Sequence, residues 1–194
     1  MIWWFKARRI APVLVPSLLT CLVVIGLAHA WTIELPGLLT GSHNRIFLLY
    51  LVPILPASAL NLALTSRLTE AETAAAREVR RYDLALICGA AAALTLGGVL
   101  IGAASGAPEA WASGRNMLFL TGLMLLAHAI KAEAAVAAPS AWVFLVMFFG
   151  FDQYRYPYFW SILPHAPGHL ISLAAAILTF AAGLVAFATQ RRAL

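Results

Sequence analysis

Six apolar runs organise this sequence, at roughly residues 10–30, 45–65, 84–104, 116–134, 139–151 and 169–189. A bilayer core about 30 Å thick takes about 20 helical residues to cross, and five of the six runs reach or approach that length. A water-soluble domain is about 45 to 50% apolar and about 25% charged. This chain is 62% hydrophobic and 11% charged, which excludes a fold whose solvent is water on every side. The reading is therefore all-α: a polytopic membrane protein, one transmembrane domain over residues 1–194, with six transmembrane helices. The fifth run has about 13 residues before Asp152 and at about 1.5 Å per residue spans only about 20 Å. Something after it must complete the crossing.

Orientation follows from the cations, because cytoplasmic loops carry the excess of Lys and Arg. With both termini inside, Lys6, Arg8, Arg9, Arg67, Arg77, Arg80, Arg81, Lys131, Arg191 and Arg192 are cytoplasmic, while Arg45, Arg115 and Arg155 lie outside. That bias requires an even number of crossings, in agreement with six, and the expected location is the cell membrane. Residues 1–9, with Trp3, Trp4 and Phe5 beside Lys6, Arg8 and Arg9, read as an interfacial amphipathic segment in contact with membrane lipids. Ala28-His29-Ala30 has the small-x-small form of a signal-peptidase site, but the apolar stretch before it exceeds an ordinary signal core, so it is read as an uncleaved span.

The net charge of +5 is distributed by topology and does not amount to a nucleic-acid footprint. Cys21 and Cys88 are far apart inside apolar runs and read as small buried side chains. His165 and His169 are four apart, but Pro167 and Gly168 between them argue against a helical metal site. No metal or cofactor is expected. There is no phosphate-binding loop, H-E-x-x-H or G-x-S-x-G motif, so the chain is not expected to be an enzyme or to hydrolyse ATP itself. No carboxylate lies in the middle of a run, against a proton-coupled carrier.

Three stretches stand out. Residues 66–83 are rich in strong helix formers and contain no Gly or Pro. Thr69 is placed to cap, Glu70 and Glu72 lie in the first turn, and Arg77, Arg80 and Arg81 lie toward the end. They predict a cytoplasmic amphipathic helix between the second and third spans, either a surface connector or a docking helix for a partner. In the third run Gly98, Gly102 and Gly106 recur every four residues, a close-packing signal within the chain or across a dimer. The outer segment 151–168 concentrates Tyr154, Tyr156, Tyr158 and Trp160, with Pro157 and Pro164 denying it a continuous helix. It reads as a re-entrant or surface-lying element, serving as an interfacial aromatic belt or as an outer gate.

Taken together, the basic amphipathic N-terminal segment, six spans, the charged helix over Thr69 to Tyr82 and the outer aromatic, proline-broken element resemble the permease subunit of a bacterial type V ABC exporter. The resemblance implies a separate cytoplasmic ATP-binding subunit docked on Thr69, Glu70, Glu72, Arg77 and Arg80, a second permease copy or homologous permease, and an outer gate at the aromatic element. The cargo it implies is a peptide, lipid-like or drug substrate. At 194 residues the chain is short for such a subunit, so either it works with a second, different permease or it is not a permease. Two other readings stand beside it: a non-transporting accessory subunit, and an outer-face lipid-modifying enzyme using Asp152, His165 or His169.

Overall fold

The computed structural model describes residues 10–28, 31–36, 43–66 and 76–190. The chain enters through a π-helical turn, Ile10–Leu14, that leads into α1, Val15–Leu27. Pro16 has no N–H to give the turn before it, and the wider turn at this junction fits that missing donor.

Next comes an element that the apolar runs did not announce. β1 (Thr32–Pro36) and β2 (His43–Phe47) pair antiparallel, with Thr32 opposite Phe47 and Glu34 opposite Arg45. Leu48 N–H continues the ladder to Trp31 O at 3.0 Å. The all-α expectation is thus corrected: the chain is mostly helical and carries a two-stranded hairpin. The second run does not begin as a helix at residue 45. It turns through a 3-10 segment, Leu48–Tyr50, before α2, Ile54–Thr65, because Pro53 has no N–H for a continuous helix.

α3 spans Ala76–Ser105 without a break. This corrects the separate surface helix expected over 66–83: residues 67–75 lie outside the described residues, and from Ala76 onward the segment is the start of the span itself. No Gly or Pro falls between Ala76 and Leu84, so no residue stops the helix where polarity changes. It stops at Gly106, whose φ of +67° is the left-handed turn glycine allows. Ala107 N–H returns to Gly102 O at 3.1 Å, closing a Schellman motif.

α4 follows as Glu109–Ile130, then α5 as Ala134–Phe149 and α6 as Leu170–Thr189. The fifth helix starts five residues earlier than its run suggested, because Ala134 to Ala138 are good helix formers. At 16 residues and about 1.5 Å each it spans about 24 Å.

Four helical stretches among the described residues are long and apolar enough to cross a membrane: Ile10–Leu27, Leu48–Thr65, Arg80–Ser105 and Leu170–Thr189. Their outer faces expose large apolar side chains, among them Leu19, Val23, Leu100, Leu178 and Val185, as a membrane protein's lipid-facing surface does.

α4 is the hub. It packs against α6, α3, α5 and α2, and Ser113, Arg115, Asn116, Thr121 and His128 along it are all buried. Its polar residues lower its hydropathy, yet they face protein. Two glycines permit the closest crossing: a Cβ on Gly122 would lie 2.6 Å from the backbone of Thr179 and Phe180, and one on Gly183 would lie 2.6 Å from Gly122 O.

Candidate functional site

Successive helices reverse direction, so the bundle has two ends with different chemistry. One carries the hairpin, the Leu48–Tyr50 turn, the junction between α3 and α4, and the segment between α5 and α6. The other carries the start of α3, the end of α4 and the end of α6.

At the hairpin end the segment after α5 has no helix to satisfy its backbone, so its carbonyls need outside donors. Arg115 and Asn116, near the start of α4, supply them. The Arg115 guanidinium, 4% exposed, donates to Ala166 O at 2.9 Å, His165 O at 2.8 Å and Leu163 O at 3.1 Å. It also donates to Asn116 Oδ1 at 3.1 and 3.2 Å. Asn116 Nδ2 donates to Leu163 O at 3.1 Å and Tyr50 O at 3.0 Å, and Ser113 Oγ reaches Leu49 O at 3.3 Å. Three polar residues on α4 thus fasten the 3-10 turn and the segment after α5 to the bundle. Among the described residues the acceptors of Arg115 are all carbonyl and amide oxygens, with no carboxylate among them.

The aromatic segment is built from the backbone outward. Asp152 Oδ1 accepts from Tyr154 N–H at 2.8 Å and Tyr156 N–H at 2.9 Å, serving the turn rather than Arg155. Arg155 takes a left-handed φ of 68°, a conformation costing a side-chain-bearing residue roughly 1 to 2 kcal/mol. A bridge between Phe151 and Pro157 closes the loop beneath it. Of the four expected gate residues, Tyr154 and Tyr156 stand out at the tip, each 71% exposed. Tyr158 and Trp160 lie lower and stack at 6.1 Å, and Trp160 meets the edge of Trp142 on α5 at 6.2 Å. The four are therefore split between a solvent-facing tip and a packed base.

His165 and His169 sit just beyond. Their rings stack face to face, centroids 4.0 Å apart and 7° from parallel. His169 caps α6: its Nδ1 accepts from Ser172 N–H at 3.3 Å and lies 2.8 Å from Ser172 Oγ. His165 Nε2 contacts Tyr158 O at 3.2 Å. Burial, then the neighbouring His169, hold the His165 imidazole below its ordinary value; Arg115 adds to this and the Tyr158 carbonyl opposes it. Among the described residues, no three His, Cys, Asp or Glu side chains gather as a metal site.

At the other end, the expected docking residues Thr69, Glu70 and Glu72 lie outside the described residues, and Arg77 falls in the first turn of α3. Arg80 is engaged within the fold: its guanidinium donates to Phe187 O and to Gln190 O, the latter at 3.0 Å, closing the C-terminus of α6. Gln190 Nε2 reaches His128 O at 3.5 Å. Lys131 and Glu133 pair at 2.8 Å on the surface between α4 and α5.

The expected glycine stripe divides in the same way. Cβ atoms on Gly98 and Gly102 would meet Ala110 O at 2.8 Å and Trp111 Nε1 at 2.5 Å, so these two let α4 approach within the chain. Gly106 has open space around it and serves the turn. Cys21 is buried, but Cys88, also read as buried, is exposed on α3.

The sequence reading assigned Arg115 to an outer loop and missed Asn116, Ser172 and the hairpin. A usable signal was present: Arg-Asn placed one to two turns into an apolar helix, with a proline-broken segment elsewhere whose carbonyls lack donors. Compared with known proteins, the chain matches no family model, no curated protein and no solved structure.

Proposed function

We propose that this chain is the permease subunit of an ATP-driven exporter of the cell membrane, with six spans and both termini cytoplasmic. It works with a cytoplasmic ATP-binding subunit and a second permease copy or homologue. The observation that carries the reading is the difference between the two ends of an up-and-down bundle. One end is lidded by the hairpin and residues 151–169; the other leads into the charged connector 66–76 and bears Arg80, Lys131 and Glu133. A partner that binds the connector differently before and after ATP hydrolysis would move the start of α3, which is continuous with the span that packs on α4. Opening at the lidded end then requires residues 161–168 to move with Arg115 or to exchange its bonds.

The test is affinity purification of the tagged chain from native membranes, with mass spectrometry of what is retained. A stoichiometric ATP-binding subunit is expected, lost in the triple variant E70A/E72A/R77A. Arg80 is left intact because it holds α6. Recovery without an ATPase overturns the reading. It would favour a non-transporting accessory subunit, which the glycine-tight crossing of α4 and α6 suits equally well.

A further inference from the structure

We propose that the His165–His169 pair is an acid-sensitive latch: protonation of both rings uncaps α6 and releases residues 161–169 from α4. The inference is independent of the permease reading, since it concerns only how the lid is held.

The geometry of the cap is what demands a neutral ring. A ring nitrogen that accepts from a backbone N–H carries no proton, so the Nδ1 of His169 is the bare nitrogen of a neutral imidazole. Adding a proton there removes the acceptor for Ser172 N–H. It also sets a positive charge on the positive end of the α6 dipole. Stacking compounds the effect, because with centroids 4.0 Å apart a second proton on His165 brings two like charges face to face. The third cation is already present: Arg115 holds the carbonyls of His165 and Ala166, so the segment that would become charged is bound to a fixed positive group.

Among the described residues, the acids at this end are Glu34 on the hairpin, Glu109 and Asp152. From α4 come Arg115 and, in its first turn, Glu109, whose field reaches Tyr50 in the 3-10 turn. α5, α6 and the stretch of α3 from Leu84 to Ser105 contain no Asp, Glu, Lys or Arg. Within the segment Asp152 is held by the N–H groups of Tyr154 and Tyr156. The depression of His165 below the ordinary imidazole value agrees with a fold that favours its neutral ring. Because His165 is held below the ordinary imidazole value, its proton is taken up only once the pH has fallen below that value.

Hydrogen exchange of the full chain in lipid nanodiscs, corrected for the intrinsic rate at each pH, tests this directly. Protection of peptides covering 161–173 is expected to fall about tenfold between pH 7.5 and pH 5.0, the scale of a lost cap plus an adverse dipole contact, and to recover on return. In H165Q/H169N, where Asn caps without titrating, protection should stay flat. H169N alone should show a smaller loss than the natural chain. A flat profile in the natural chain overturns the latch, as does an undiminished acid loss in either variant. A loss of equal size along α4 overturns it too, because the whole bundle would then be titrating.

Discussion

Arg115 and Arg80 do the same chemical work at opposite ends of the bundle, and in opposite surroundings. Each donates to backbone carbonyls that no helix satisfies: Arg115 to those of residues 163, 165 and 166, Arg80 to those of residues 187 and 190. Arg115 is buried under the segment it holds, whereas Arg80 lies partly open at the last turn of α6. The difference is one of alternatives. Carbonyls left bare at the Arg80 end can turn to water or lipid headgroups. Around Arg115, Ala166 is exposed and His165 half-buried, but the guanidinium, Asn116 and Leu163 are buried, and there an unmade hydrogen bond costs about 1 to 3 kcal/mol. The hairpin end is thus held by a buried cation that serves several acceptors at once, and the other end by a partly open one.

The largest test of this contrast is Arg115→Leu. It leaves His165 O and Asn116 Oδ1 without a donor, while Leu163 O keeps Asn116 Nδ2 and Ala166 O keeps His169 N–H, so a loss of about 2 kcal/mol or more is expected in denaturant or thermal unfolding in detergent. A loss below about 1 kcal/mol would mean that the segment finds other donors, and the two ends would no longer differ. Arg115→Lys should recover only part, since a point charge cannot serve the same spread of acceptors. Next is Gly122→Ala, at the crossing that ties the ends together. The new methyl has nowhere to go but into the α6 backbone, so α4 and α6 must separate at a cost of about 1 to 3 kcal/mol. Exchange protection should fall along both helices; a purely local effect would show that the ends are not coupled through this contact.

Arg80→Ala should be milder, about 0.5 to 1 kcal/mol, the scale of a partly exposed cation at a helix C-terminus. Its signature is faster exchange confined to the last turn of α6. A global loss as large as that of Arg115→Leu would erase the distinction.

The smallest effect is that of pH on overall stability. His165 is held below its ordinary value of 6.5 in the folded chain, so as pH falls the unfolded chain takes up this proton first. Its contribution is full above about pH 6.5, declines below it and levels off once the folded ring is also protonated. Unfolding midpoints from pH 8 to pH 5 should show this decline, and H165Q should reduce it.

How much of this was legible varies by element. The helices were, because a run such as Leu170 to Thr189 has no charge to expose and no proline to break it. The hairpin was not: Thr32 to Pro36 and His43 to Phe47 lie beside apolar runs, and a strand of five residues has too short a pattern to outweigh its neighbours. The boundary of α3 was misread because polarity changes at Asp83 while helix propensity does not. The two glycine roles look alike in sequence, since spacing cannot tell Gly98, pressed on α4, from Gly106, turned at positive φ.

By itself the sequence determined that this chain is mostly helical, with stretches long and apolar enough to cross a membrane, because transfer from water to hydrocarbon depends on each run's own composition. The tertiary structure alone decided which helix is the hub, which arginine is buried and which histidine caps. Those outcomes depend on where the carbonyls of a distant, proline-broken segment come to rest. Arg115 and His165 are 50 residues apart, and hydrogen bonds between them arise only once α4 and the lid share one end of the bundle.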